Sequence, residues 1–249
     1  MKTDRRLFSK RFGQVLLKNV SIAEFEVRSL DVFPDCRVLE IGGGEGVLTE
    51  LLLEKDVNLD CVEPDGRFVE FLSQRFSKYL EIGRLRIIKR SFLDIEPGKY
   101  DRIIGNIPYH ISSDIIFSLS RFEFEHAVLM VQKDFAERMI ALPGQEGYSR
   151  LSVNCSYRFD TKIVRIVSRD DFNPVPKVDS AVIILKPKRV ELGIEPKLLD
   201  DILVKLFSNR RKMVGTVIKE CPEGLKEKRP GELTLDDFIS VAKSLNRRP

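Results

Sequence analysis

Three short stretches of the chain carry residue types that could do chemistry. The first is Gly105-Asn106-Ile107-Pro108-Tyr109, with His110 following, at the end of a hydrophobic run. An asparagine amide cannot act as a base, but its oxygen accepts a hydrogen bond from an exocyclic amino group. Adenine N6 is a demanding case, because its lone pair is delocalised into the ring and is poorly nucleophilic. Holding one N–H on the Asn106 oxygen and the other on the Ile107 carbonyl favours a pyramidal nitrogen, its lone pair aimed at an electrophile such as a methyl donor. Pro108 fixes φ and has no N–H, so it can hold that carbonyl in place. Tyr109 offers a face for a flipped base, a stack worth about 1–3 kcal/mol. Phe172 precedes Pro174 and Pro176 in a stiff loop, FNPVPK, and is the candidate for a second face of the clamp.

The other two stretches are EIGGGEGVLT (Glu40 to Thr49) and the Glu63-Pro64-Asp65-Gly66 turn. Gly42, Gly44 and Gly46 let the backbone pass close to a ligand, and the helix that follows attracts negative charge at its start. Position 47, where the dinucleotide fingerprint has its third glycine or alanine, is Val. That argues against a pyrophosphate between turn and helix and favours a smaller nucleoside ligand, S-adenosyl-L-methionine. Glu63 lies 21 residues after Gly42, where a carboxylate can accept hydrogen bonds from both ribose hydroxyls. Because a sulfonium is already a strong electrophile, catalysis would consist of positioning and electrostatics more than proton transfer.

Elements that would bring these residues to one place can be read from hydrophobic patterning. Strands are expected at Arg37 to Ile41, Asn58 to Val62, Leu85 to Lys89, Tyr100 to Ile104 and His126 to Val131. Helices are expected over Val47 to Lys55, Arg67 to Tyr79, Asp114 to Leu119 and Lys133 to Leu142. This alternation implies right-handed βαβ crossovers and an α/β, Rossmann-like, doubly wound and mostly parallel sheet. Thr161 to Val167 and Ser180 to Leu185 are joined by a loop too short for a crossover helix, so they are expected to pair antiparallel at one sheet edge. Lys186-Pro187-Lys188 reads as a boundary. It divides a catalytic domain (1–186) from a small helical subdomain (187–249), with helices around Leu198 to Lys219 and Leu235 to Leu245. Thr234 and Asp237 would cap the last helix.

Composition limits the alternatives. No apolar run reaches the roughly 20 residues that span a bilayer, and the start lacks a signal-peptide core, so cytoplasmic residence is expected. Four dispersed cysteines (Cys36, Cys61, Cys155, Cys221) and two histidines give neither a zinc site nor a disulfide scaffold. Residues 1–21 and 186–249 each carry a net charge of +5, and the stretch between carries −6. Basic ends flanking an acidic middle suit a polyanion at the ends.

The motifs RFGQVLLKN, EIGGGEGVLTE, VEPD, GNIPYHISS, VQKDFAERM, YSRLSV and DFNPVPKVDSAVI occur in the order and spacing of the ribosomal small-subunit RNA adenine dimethyltransferases. The resemblance covers about residues 5 to 187, and LFSNRRKMV and ELTLDDF resemble that family's helical tail. It implies S-adenosyl-L-methionine-dependent N6-dimethylation of two adjacent adenines near the 3′ end of small-subunit rRNA, either free or in an assembling small ribosomal subunit; nothing in the sequence suggests an obligate oligomer, so a monomer is expected. Residue by residue, it implies that Gln14, Val15 and Leu17 line the cofactor pocket, that Gly42 and Gly44 meet the methionine portion and that Glu63 holds the ribose. Asn106 would bridge cofactor and target amine, with Tyr109 and Phe172 on the target adenine. A basic cleft beside the helical tail is also implied, with Arg210, Arg211 and Lys212 as phosphate contacts.

Two departures stand out. Val15-Leu16 replaces the family's usual polar residue and Phe. Arg90-Ser91-Phe92 stands where Gly-Asp-Ala is usual, so the carboxylate expected on the cofactor's adenine N6 is replaced by Ser91, with the Phe92 N–H as a second contact. Reduced cofactor affinity is the expectation. Competing readings are a large-subunit rRNA adenine methyltransferase, a DNA adenine methyltransferase, whose motif usually begins N/D-P-P-Y/F, and a ribosome-assembly factor whose binding matters more than its chemistry.

Overall fold

A computed structural model describes residues 16–245, so the expected site residues Gln14 and Val15 lie outside the described residues. The elements, in chain order, are β1 (Leu16–Leu17), α1 (Val20–Leu30), β2 (Arg37–Ile41), α2 (Val47–Leu53), β3 (Asn58–Val62), α3 (Gly66–Arg75), α4 (Ser77–Glu81), β4 (Leu85–Ile88), β5 (Arg102–Asn106) and α5 (Ser112–Leu119). They continue with β6 (His126–Gln132), α6 (Lys133–Ile140), α7 (Arg150–Arg158), β7 (Phe159–Val167), β8 (Phe172–Asn173), β9 (Ser180–Pro187), α8 (Pro196–Phe207), α9 (Val214–Val217) and α10 (Leu235–Leu245).

Seven strands form one sheet in the order β4-β3-β2-β5-β6-β9-β7. From β4 to β6 every pairing is parallel, and β9 pairs antiparallel with β6. The expected α/β architecture is therefore present. Buried runs such as Val38–Ile41 and Ile103–Gly105 explain why: strands covered on both faces lose the alternation of a half-exposed strand. β7, at the sheet edge beside β9, keeps that alternation.

Helix α1 was not expected from the sequence. Its N-cap Asn19 accepts a hydrogen bond from Ser21 N, and Asp31 ends it in the left-handed region. The buried Arg102 guanidinium, at the start of β5, donates to the Leu30 and Asp31 carbonyls and pairs with Glu125 at 2.7 Å. This pins the end of α1 against the centre of the sheet. Ile22, Ala23, Val27 and Leu30 then join Leu48, Leu52, Ile104 and Val128 in one apolar cluster.

Several boundaries differ from expectation. The helix expected over residues 67–79 breaks at Phe76 into α3 and α4. The one around 198–219 ends at Phe207, leaving only the short α9 beyond it. The strand before the Asn106 motif runs two residues further, so Asn106 is its last residue. One break between compact units falls within a residue of the expected boundary, but residues 134–161 join the tail: residues up to 133 with 162–187 form one unit, and 134–161 with those from 188 onward form the second. The physical reason is packing, since Tyr148, Val153 and Tyr157 bury themselves with Leu199, Leu203, Leu206 and Phe238. In that second unit Thr234 and Asp237 form the reciprocal cap expected of them.

Candidate active site

The carboxyl ends of β2, β3 and β5 surround a cavity of about 170 Å³. Its wall includes Leu17, Glu40, Gly42, Gly44, Glu63, Asn106, Ile107, Pro108, Tyr109, His110 and Phe172. Parallel strands put all of these but Leu17 and Phe172 on one edge, which is where ligands bind in such sheets.

The glycine turn is held from below. Glu63 accepts hydrogen bonds from Gly44 N and Asp65 N, each at 2.9 Å, so one carboxylate clasps the turn after β2 to the turn after β3. Burial raises the Glu63 pKa, and the two backbone N–H groups oppose that shift. Each carboxylate oxygen has a further lone pair, so acceptors for a diol are still available. Gly43, unremarked in the sequence, is required by packing, since a Cβ there would collide with Cys61 Sγ and Leu72. Glu40 was also passed over. It is wholly buried beneath the turn, with Oε2 bonded to Thr49 Oγ1 at 2.7 Å and Oε1 without a partner. Burial pushes its pKa up to about 8 against the lowering effect of the Thr49 hydroxyl.

β5 positions the second group. Asn106 pairs in register with Met130, and Ile107 N donates to the Met130 carbonyl at 2.9 Å. Gly105 is there because a Cβ would stand 2.5 Å from the Ile41 carbonyl oxygen. Pro108, at φ −58°, then turns the chain into the one-turn helix Tyr109–Ile111. Tyr109 Oη lies 2.7 Å from Ser180 Oγ, and burial raises its pKa against that hydrogen bond. Phe172 is 3% exposed and pairs with Leu17 across the β1–β8 ribbon, which brings both residues to the cavity. The Asn106 side-chain oxygen is buried without a partner.

Ser91 and Phe92 are not among the cavity-lining residues. Ser91 Oγ accepts a hydrogen bond from Leu93 N at 3.3 Å, and the Phe92 ring stacks on Phe122 at 5.1 Å. His110 is exposed at the cavity rim. All four cysteines are buried and free, and among the described residues no group of His, Cys, Asp and Glu could hold a metal ion. No described helix is long and apolar enough to cross a membrane.

A glycine turn, a clasping carboxylate and an amide at the next strand's end fit an adenosyl group beside an exocyclic amine. Gly42, Gly44 and Glu63 would hold the former, and Asn106 with its unpartnered oxygen the latter. Fold and site together define a Rossmann-like methyltransferase. The ribosomal RNA adenine dimethylase family model matches residues 5–237, and the chain belongs to that family. It is 38% identical to a probable ribosomal RNA small subunit methyltransferase A of Thermococcus gammatolerans, over 96% of this chain and 83% of the relative. The ribosomal RNA small subunit methyltransferase A of Parabacteroides distasonis is 36% identical, over 93% and 91%. A dimethyladenosine transferase from Plasmodium falciparum superposes with a TM-score of 0.81 at 30% identity, covering 93% of this chain and 98% of that one. The reaction is adenine dimethylation in rRNA, and S-adenosyl-L-methionine is the methyl donor.

Proposed function

We propose that this protein dimethylates N6 of two adjacent adenines near the 3′ end of small-subunit rRNA, acting as a cytoplasmic monomer during small-subunit assembly. The observation that carries the reading is the Asn106 amide oxygen, buried and unpartnered at the wall of the cavity. A buried acceptor without a donor costs about 1–3 kcal/mol, and an adenine N6–H would supply that donor. Asn106 and the Ile107 carbonyl would hold the two N–H groups, and the Tyr109 and Phe172 rings would flank the base. Gly42, Gly44 and Glu63 would hold the cofactor, with Leu17 beside them. Among relatives, the names of those at 36–38% identity refer to the small subunit, which favours that substrate over the large subunit.

The helical unit offers an RNA contact of its own. Arg210, Arg211 and Arg229 line one hollow together with Gly144 and Gly231, and Lys212 is exposed beside them. Three guanidiniums around one hollow suit phosphate oxygens, which position RNA without reading its sequence.

The test is transfer of labelled methyl groups to unmethylated small subunits, large subunits and duplex DNA, with wild type and Asn106→Ala. Dimethyladenosine on small subunits alone is expected, with Asn106→Ala slower by about 10²–10³-fold. Labelling of large subunits or DNA would overturn the substrate, and undiminished transfer by Asn106→Ala would overturn the mechanism. Subunit binding without any transfer would mark an assembly factor instead.

A further inference from the structure

Helix α1 carries a residue that packing alone does not explain. Ile22, Ala23, Val27 and Leu30 face the core, and Glu26 lies buried with them at 0% exposure. Its carboxyl faces the Asn106 amide at the end of β5, and the Glu40 carboxyl on β2 is near enough to repel its charge. Neither Glu26 oxygen has a hydrogen-bond partner among the described residues, and neither does Asn106 Oδ1.

A carboxylate in that position would be a buried charge with no cation beside it, and such groups take up a proton instead. Burial, followed by the neighbouring Glu40, pushes the Glu26 pKa up to about 8 against the opposing influence of Asn106. A neutral carboxylic acid presents one O–H donor and one carbonyl acceptor. A primary amide presents the complementary pair. Side by side they can form two hydrogen bonds, from Glu26 O–H to Asn106 Oδ1 and from Asn106 Nδ2–H to the other Glu26 oxygen. That arrangement satisfies both Glu26 oxygens and one lone pair of Asn106 Oδ1, leaving its second lone pair for the adenine N6–H.

We propose that Glu26 is a positioning residue for Asn106, locking the amide plane by acid–amide pairing so that the second lone pair of Oδ1 faces the target amine. The inference rests on the role given to Asn106 above. An asparagine amide is nearly symmetric in shape, so packing cannot by itself choose which end points to the substrate. Turned the wrong way, its NH₂ would meet the adenine NH₂, donor against donor. The acid pairs with either orientation of the amide by carrying its proton on one oxygen or the other. Glu26 thus holds the amide plane from within the core, and the adenine amine selects the orientation with Oδ1 toward it. A buried acid there stabilises the fold less than a well-packed apolar side chain would, which is what a functional placement predicts.

Three variants test it: Glu26→Met, Glu26→Gln and Asn106→Ala, each compared by melting temperature, cofactor affinity by calorimetry, and kcat and KM for the subunit. Glu26→Met should melt several degrees higher, as buried polar groups replaced by apolar ones often do. Its kcat should fall about tenfold, the loss of one oriented hydrogen bond, with cofactor affinity unchanged. Glu26→Gln repeats both hydrogen bonds through its own amide, so it should keep kcat within about threefold of wild type. In the Asn106→Ala background, Glu26→Met should cause no further loss, because the two residues act as one unit.

Glu26→Met with wild-type kcat would overturn the inference, as would Glu26→Gln as slow as Glu26→Met, or losses that add in the double variant. Should Glu26→Met not fold, Glu26→Ala puts the same question. Failure of the Asn106 reading looks different: there Asn106→Ala itself stays active. An inactive Asn106→Ala beside a fully active Glu26→Met would sink the Glu26 inference alone.

Discussion

Two strand ends reach the same edge of the sheet and are held very differently. β5 is central, flanked by β2 and β6, and its last residue is registered against Met130. β4 is the outer strand on its side, and the chain leaves it through a tight turn in which Arg90 N bonds back to the Ile88 carbonyl. Beyond it, Ser91 bonds within its own turn and the buried Phe92 ring stacks on Phe122, away from the cavity. The reacting end of the site is thus over-determined by the core, and the end that would hold the cofactor's adenine is built on a sheet edge. A sequence can depart from its family at the second place without disturbing the first, and here it does.

The sharpest way to break this contrast is at Gly105. A methyl group there would stand 2.5 Å from the Ile41 carbonyl oxygen and 2.9 Å from its Cβ, both parts of the neighbouring strand. Neither can move without shifting β2. Gly105→Ala should cost about 3 kcal/mol or more in a denaturant melt, the upper range for overpacking a core. A loss below about 1 kcal/mol would show that the centre is softer than its packing suggests.

The centre also has a pH signature. Glu26 and Glu40 both hold their protons up to about 8 when folded, against an ordinary value of 4.5. Folded chains then bind more protons than unfolded ones between those values, so stability falls as pH rises. It is fully present below about 4.5 and lost by about 8, flattening beyond that. Denaturant melts across that range should show the decline, and Glu26→Gln should make it shallower. A stability that rises from pH 5 to 8 would rule out two neutral carboxyls under the site.

Much of this contrast was legible in the residues, and the gaps have physical causes. β2 to β6 could be read because buried parallel strands are short apolar runs punctuated by glycine, proline and turn residues. Gly42, Glu63 and Asn106 followed, since parallel strands gather their carboxyl ends. Helix α1 escaped because Glu26 interrupts its apolar stripe between Ile22 and Leu30, the same residue that is inferred to position Asn106. In α7 the buried face includes Ser152 and Asn154, so the helical period is written partly in polar residues. The membership of residues 134–161 in the second unit is unreadable for that reason: α7 buries its apolar residues with the C-terminal helices, a pairing across some 45 residues that no local pattern records.

Between the two strand ends lies Glu63, whose carboxylate clasps the turns after β2 and β3. Glu63→Ala removes the carboxylate proposed to accept from the ribose and frees two backbone N–H groups. Cofactor affinity should fall by about 10–100-fold, the range for hydrogen bonds to a charged group. Calorimetry with S-adenosyl-L-methionine reads this directly. Unchanged affinity would mean that the carboxylate serves the turn alone.

The smallest effect is expected at the edge. Ser91→Asp restores the carboxylate usual at this position, where it could still accept the Leu93 N–H and also reach an adenine amine. The serine side chain is tied to its own turn and the residue does not line the cavity, so part of the gain depends on the turn opening slightly. An increase in cofactor affinity of about fivefold is expected, below the roughly tenfold or more of a fully formed charge-assisted hydrogen bond. The change should appear in the dissociation constant, with kcat at saturating cofactor unaltered, because the edge does not touch Asn106. Should calorimetry show Ser91→Asp binding no more tightly, the serine is no handicap, and the backbone of the turn already supplies what the carboxylate would. Should kcat rise with it, the two strand ends are coupled and the separation between a rigid centre and a tolerant edge fails.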